Sequence, residues 1–344
     1  MNFLNILNNK DVAYTIAEIG NNHQGSLELA LKMSEEAILC GVDAIKFQRR
    51  NNNELFTEKF FNSPYENNNS FGDVYGKHRE NLELSLEDLA KLKSFIESKN
   101  CDFLVTPFDL SSLDDLEKIK CNFYKIASAD IVHLPLIEKI ARTCKPIIMS
   151  TGHSTYLDID RAIKKIEEFG NIYALLHCTA SYPAEICDMN LNCIPEMIKR
   201  YPNAFKVGLS DHENGIDCAS IAFLLGARIF EKHFTLNRAS KGTDNSFSLE
   251  PQGMKKLIRN IKRIPLALGN SNHDLLNSEL KPVYKMRKSI VYKSDLKCND
   301  KLNYENLEYR CPGDGLEPYH IYQIIGKKLK TDVKKHQCFE FSHI

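Results

Sequence analysis

Between residues 14 and 267 the chain alternates two kinds of hydrophobic pattern. Short runs rich in β-branched and aromatic residues read as strands, and each is followed by a longer stretch whose apolar residues recur every three or four positions, as on an amphipathic helix. The strand runs cover residues 14–20, 44–48, 102–108, 123–128, 146–152, 172–178, 204–212 and 228–235. The helical runs cover 26–40, 85–99, 111–119, 134–142, 157–169, 192–201, 216–225 and 250–267, several opening on a Ser or Asn that can cap a helix. Such a series of βα units in roughly 250 residues predicts an α/β fold of the (β/α)8 TIM-barrel type. A doubly wound open sheet is the alternative, because strand order cannot be read from one sequence.

Two stretches break the alternation. Residues 49–81 are too many for an ordinary βα loop, are rich in Asn and carry Tyr65, Tyr75, His78 and Arg79, and loops of this length usually shape a site. Residues 269–273 read as a polar linker, after which short strand-like runs and turns such as Cys311-Pro-Gly-Asp-Gly315 predict a small, mostly-β second domain. The expected division is a barrel over 1–268, a linker over 269–282 and the small domain over 283–344.

Composition narrows the class. Lysine plus arginine number 45 and aspartate plus glutamate 45, with no basic block to mark nucleic acid or anionic lipid as a partner. No apolar run approaches the roughly 20 residues of a membrane span, so no membrane association is expected. Residues 1–10 lack the basic start and apolar run of a signal peptide, and the expected location is cytoplasmic. The 11 cysteines are scattered without a Cys-x-x-Cys pair and read as reduced, mostly buried thiols.

In a (β/α)8 barrel the chemistry sits at the C-terminal ends of the strands. Here those ends carry Glu18, Lys46, Gln48, Thr106, Lys125, Ser128, Ser150, Ser210, His212, Glu231 and His233. The pairs 46/48, 210/212 and 231/233 are two apart, which puts both members on one face of a strand, the barrel interior. His212 and His233, one βα unit apart, would enter the same mouth. Two imidazoles suit Mn, Fe, Co or Zn and leave positions open for a substrate carbonyl; ordinary hydrogen-bonded histidines are the plain alternative. Lys46 and Lys125 late in buried strands need an anionic partner, which a phosphorylated or carboxylated ligand would supply. A buried ion pair with Glu18, Asp130 or Glu231, or a Schiff-base lysine, competes with that reading.

The motifs Ala17-Glu-Ile-Gly-Asn-Asn-His23, Ile45-Lys-Phe-Gln48, Thr106-Pro-Phe108, Tyr124-Lys-Ile-Ala-Ser128, Met149-Ser-Thr-Gly152, Gly208-Leu-Ser-Asp-His212 and Glu231-Lys-His-Phe-Thr235 resemble the N-acetylneuraminate (sialic acid) synthase family. The stretch 301–328, with Pro312-Gly-Asp-Gly-Leu316, resembles that family's antifreeze-like SAF domain. The resemblance spans nearly the whole chain in order. It implies a condensation of phosphoenolpyruvate with an N-acetylated aldehyde sugar, N-acetylmannosamine foremost, giving a nonulosonic acid and phosphate; diacetamido sugars leading to legionaminic or pseudaminic acid are the alternative acceptors. It also implies a divalent metal, manganese before magnesium, cobalt or zinc, on His212 and His233. Phosphoenolpyruvate contacts would fall to Lys46, Gln48, Thr106, Lys125, Ser128, Ser150 and Ser210. Sugar contacts would fall to Glu18, Tyr182, Glu231 and Asp244, with Arg310 from a neighbouring subunit closing the site in a domain-swapped homodimer. The chain departs from the family at Ala180, at Asp130 and at Arg310-Cys311-Pro312, where the family pattern is Arg-Pro. Of the readings outside this family, a metal-independent Schiff-base pyruvate aldolase would use Lys125 or Lys46, and a non-catalytic carbohydrate- or ice-binding protein would show a degraded mouth.

Overall fold

A computed structural model of the chain describes Phe3 and residues 12–344. The expectation about a signal peptide in residues 1–10 lies outside these apart from Phe3. The chain divides into two compact units after Gly269.

In the first unit, strands β1 (Tyr14–Glu18), β2 (Ala44–Arg49), β3 (Asp102–Pro107), β4 (Tyr124–Ile126), β5 (Ile147–Ser150), β6 (Tyr173–Cys178), β7 (Lys206–Asp211) and β8 (Ile229–His233) run parallel, in sequence order, and close into a barrel. The closing ladder pairs β1 with β8 from Tyr14↔Ile229 to Glu18↔His233, which excludes an open doubly wound sheet. Helices α1 (Leu27–Cys40), α2 (Leu86–Ser98), α3 (Leu110–Lys118), α4 (Leu134–Ala141), α5 (Tyr156–Glu167), α6 (Cys193–Arg200), α7 (Asp217–Leu224) and α8 (Pro251–Leu268) follow the strands in turn. Their ends are written locally. The Ser26 hydroxyl accepts from the Leu29 N–H to start α1, and the chain leaves through Gly41 at φ +90°, where a side chain would be strained. Thr155 and Asp158 form a reciprocal capping box at the start of α5.

Strand alternation sorts the residues into layers. Outward positions such as Ala17, Ile45, Val105 and Ile126 pack under the helices. Inward positions at the N-terminal end, among them Tyr14, Ile16, Ala44, Leu104, Phe123, Ile148 and Ile229, form an apolar plug, and the Phe3 ring stacks on Phe123 at 5.2 Å. The next inward residue on these strands is polar: Glu18 after Ile16, Lys46 after Ala44, Thr106 after Leu104, Lys125 after Phe123, Ser150 after Ile148 and Glu231 after Ile229. The apolar plug thus makes a floor beneath a polar layer at the C-terminal mouth.

Several strands end earlier than their hydrophobic pattern. β4 keeps only Tyr124–Ile126 because Ser128–Asp130 turns into a 3₁₀ helix, and β8 stops at His233. The long 49–81 loop is not irregular throughout. It contains helical turns at Asn52–Leu55, Glu58–Phe61 and Tyr75–Glu80, gathered around a ring cluster in which Phe60 and Tyr65 lie 4.7 and 5.2 Å from Tyr75.

The second unit pairs β9 (Ser289–Tyr292) with β10 (Leu307–Arg310) in antiparallel fashion around a core that includes Ile290, Tyr292, Leu307, Ile324 and Phe339. A helix, Leu280–Met286, begins inside the segment expected to be linker. The cysteines also differ from expectation. All are free thiols, but only Cys40, Cys101, Cys121, Cys178 and Cys218 are buried, while Cys144, Cys187, Cys298 and Cys311 are exposed.

Candidate active site

The polar layer opens into a cavity of about 530 Å³, and every barrel residue singled out from the sequence lines it. At its base Lys46 Nζ lies 2.8 Å from Glu18 Oε2 and 3.6 Å from Glu231 Oε1, and Lys125 Nζ lies 3.4 Å from Glu231 Oε2. All four side chains are at most 5% exposed. The buried-ion-pair alternative is therefore realised, with Glu18 and Glu231 as the partners. It does not displace the ligand reading, because the pairs sit on a cavity wall and not in a sealed core. Glu18 also accepts from Gln48 Nε2 at 2.5 Å, and Lys125 donates to Ser150 Oγ at 2.6 Å. Ser210 Oγ donates to Glu231 at 3.2 Å. Ser128 Oγ accepts from the Gly152 N–H at 3.0 Å, and Thr106 Oγ1 lies 3.4 Å from Lys46 Nζ.

The electrostatics follow from this pairing. Burial opposes ionisation of Glu231, but Lys125 and Lys46 outweigh it and hold its pKa near 2. Glu18 has a single lysine close by and a second carboxylate beside it, so burial prevails and its pKa is raised. Lys125 is pushed down, chiefly by burial and in part by Lys46.

The two histidines enter from neighbouring strands, with ring centroids 5.4 Å apart. His212 follows the last residue of β7, and its Nδ1 hydrogen-bonds the Thr179 carbonyl at 3.0 Å, which fixes Nε2 as the lone-pair nitrogen. His233 Nδ1 is buried without a hydrogen-bond partner, 3.8 Å from Asp244 Oδ2. Burial lowers both pKa values to about 4, with mutual repulsion adding to it at His212. Both rings are thus neutral near pH 7, the form that ligates metals. Two neutral imidazoles, one with an orphaned nitrogen, fit a divalent ion. Among the described residues no group of three His, Cys, Asp or Glu forms a ready cage, so the remaining positions would fall to water and substrate. The Tyr182 ring lies 4.2 Å from His212, tilted by 42°, and Phe247 lies edge-on 5.0 Å from His233.

Arg310 lies on β10 in the second unit, its guanidinium exposed and paired with Glu308 at 2.7 Å. The neighbouring Cys311 is exposed, with Sγ 3.5 Å from the Met286 carbonyl. At the departure near strand 6, the Ala180 carbonyl is hydrogen-bonded by His153 Nε2 at 2.8 Å, and His153 itself lines the cavity. The polar lining residues also include Asp130 and three that were not singled out as site candidates: Asn21, Arg50 and, from the loop helix, Arg79. Arg50 was within reach of the pattern, since it continues the two-residue spacing of Lys46 and Gln48. Within Tyr75–Glu80, His78 and Arg79 are buried, while Lys77 and Glu80 pair near the surface.

The fold and mouth define a (β/α)8-barrel protein whose C-terminal cavity brings two lysines, two carboxylates and two histidines together. The chain belongs to the NeuB family, whose model matches residues 33–273. It is 36% identical over 327 residues to N,N'-diacetyllegionaminic acid synthase of Campylobacter jejuni, covering 93% of this chain and 96% of that one. It is 32% identical over 323 residues to human N-acetylneuraminate-9-phosphate synthase, covering 94% and 90%. The crystal structure of N-acetylneuraminic acid synthetase from Leptospira borgpetersenii, in complex with citrate, superposes with a TM-score of 0.69 at 33% identity over 80% of this chain and 91% of that one.

Proposed function

We propose that this protein is a phosphoenolpyruvate-dependent nonulosonic acid synthase. It joins C3 of phosphoenolpyruvate to the aldehyde carbon of an N-acetylated sugar of the N-acetylmannosamine type, free or phosphorylated, and releases phosphate. Diacetamido sugars are the alternative acceptors, in keeping with the relative named for diacetyllegionaminic acid. The observation that carries the proposal is the joint placement of Lys46, Lys125, Glu18, Glu231 and two neutral imidazoles on one cavity wall.

Lys46 and Lys125 would bind the carboxylate and phosphate, aided by the hydroxyls of Thr106, Ser128, Ser150 and Ser210, and so hold C3 in line with the aldehyde. Glu18, a carboxylate of raised pKa gripped by Gln48 and Lys46, would take a proton from the water that adds to C2. The balance is complete: the C3–C1 bond forms, the aldehyde oxygen gains a proton, water supplies the C2 oxygen, and the bond from C2 to the phosphate oxygen breaks. Glu231, kept ionised by both lysines, would accept from sugar hydroxyls together with Tyr182 and Asp244. His212 and His233 would hold a divalent ion, manganese before magnesium, cobalt or zinc. When bound, the ion supplies Lewis acidity to the aldehyde oxygen.

The small unit is read as the family's SAF domain, and Arg310 of the partner subunit as the group that closes the sugar side in a domain-swapped homodimer. Supporting an assembly, Leu266, Leu268, Leu276, Leu280, Tyr284 and Met286 are each at least 52% exposed in the single chain. The free thiols fit the cytoplasm.

Metal-loaded protein should release phosphate from phosphoenolpyruvate only when an aldehyde acceptor is present, and the product mass should equal the sum of acceptor and pyruvate. Release without acceptor, or none with N-acetylmannosamine, its 6-phosphate or the diacetamido sugars, would sink the proposal. The lowered pKa of Lys125 also suits a Schiff-base aldolase. Borohydride trapping of pyruvate on the protein, with activity indifferent to chelators, would favour that reading.

A further inference from the structure

Arg50 and Arg79 face the cavity and take no part in the chemistry above. Arg50 continues the inward series of Lys46 and Gln48, and at about 3.3 Å per residue it stands roughly 13 Å beyond Lys46 along the strand direction. It therefore belongs to the rim and not to the floor. Arg79 reaches the same rim from the helix Tyr75–Glu80. Each residue is 9% exposed, yet Nη1 of Arg50 and Nε of Arg79 are buried without a hydrogen-bond partner.

The surroundings fix the Arg50 guanidinium without using up its donors. Arg50 lies 3.8 Å above the Phe108 ring, donates through Nη2 to Gln48 Oε1, and has Glu83 Oε1 at 3.5 Å from Nη1. Glu83 and Asp244 temper the positive charge, but the two arginines still repel one another; burial and that repulsion lower the Arg50 pKa to about 10. Buried like charges with N–H groups left over are costly unless an oxyanion joins them. A planar fork of donors matches phosphate in particular.

We propose that Arg50 and Arg79 form a second anion subsite, which holds the phosphate ester of a phosphorylated acceptor sugar. This subsite presupposes the condensation proposed above. The lysines and hydroxyls of the floor already provide for phosphoenolpyruvate, so a separate set of donors at the rim calls for a second anionic group. A neutral N-acetylated aldose has none, whereas its 6-phosphate carries one at the end of the open chain remote from the aldehyde.

The test compares N-acetylmannosamine 6-phosphate with N-acetylmannosamine on the metal-loaded wild type and on Arg50→Gln, Arg50→Lys and Arg79→Gln. The wild type should prefer the phosphorylated sugar by about 100-fold in kcat/KM, and each glutamine variant should erase about 10-fold or more of that preference through the sugar-phosphate KM. Arg50→Lys should fall between, retaining charge but not the fork. A wild type without preference, or a phosphoenolpyruvate KM that rises in step with that of the sugar, overturns the subsite. Calorimetric titration of N-acetylmannosamine 6-phosphate without phosphoenolpyruvate separates the two proposals. If no acceptor is turned over, the condensation fails, while sugar-phosphate binding that disappears in the arginine variants still upholds the subsite; absence of wild-type binding removes it.

Discussion

At the scale of single residues the site is a set of opposed charges whose balance can be disturbed one group at a time. His212→Ala or His233→Ala should each lower kcat by about 1000-fold or more if the pair holds the metal whose Lewis acidity the reaction needs. Each should also reduce the manganese retained after dialysis while leaving the unfolding midpoint within reach of wild type. Full activity in either variant would remove the metal role. Asp130 offers a test of a different kind. Its Oδ2 is buried without a partner, and burial, reinforced by Asp109 and opposed by Arg50, raises its pKa to about 7. In the unfolded chain an aspartate titrates near 3.9. Between those values the folded protein binds the proton more tightly, so stability falls as pH rises from about 4 to about 7 and then levels off. Asp130→Asn removes that loss. Its urea midpoint should exceed wild type by more at pH 8 than at pH 5, with a gap at pH 8 on the order of 2–4 kcal/mol. An equal gap at both values would mean that the carboxyl is not held protonated.

At the scale of elements, the barrel depends on how closely neighbouring strands approach. A Cβ at Gly208 on β7 would collide with the Ile229 carbonyl and come within 2.7 Å of Leu176 Cδ2. Gly208→Ala should therefore cost about 1–3 kcal/mol or more in chemical denaturation. It should also reduce activity, because Ser210 and Glu231 are paired across the same two strands. A loss below about 0.5 kcal/mol would show that the ladder can shift. This layering explains what was legible in the sequence. Period-two alternation reports which face a strand residue takes, so the polar series from Glu18 through Lys46 and Lys125 to Glu231 stood out directly. Strand ends were less legible, because β4 and β8 leave the ladder at the rim for reasons that lie in the loops. Arg50 sits one residue past the end of β2, so the two-residue spacing reaches it only if continued beyond the strand. The burial of His78 depends on rings brought together from distant parts of the 49–81 loop, which local periodicity does not encode.

At the scale of the whole molecule, the second unit carries Arg310 on its own strand pair. Among the described residues the half-exposed Arg310 side chain is paired with Glu308, two residues away, and such a pair holds it weakly. A guanidinium so placed is available to a neighbouring subunit, and within the second unit Leu276, Leu280, Tyr284 and Met286 are exposed apolar side chains that an assembly could cover. The two arrangements, closure in cis or in trans, differ in what a mixture of inactive proteins can do. Arg310→Ala should raise the sugar KM far more than that of phosphoenolpyruvate, and His212→Ala should be inactive outright. Suppose Arg310 acts in trans. Unfolding and refolding the two variants together then yields mixed dimers with one intact site each, assembled from an unaltered barrel and the Arg310 of the other chain, and about a quarter of wild-type activity should return at low sugar concentration. Closure within one chain predicts that activity merely averages that of the separate variants, because no chain in the mixture carries both His212 and Arg310. Size-exclusion chromatography of the same mixture completes the test, since a monomer that gains nothing on mixing would exclude the swapped dimer altogether.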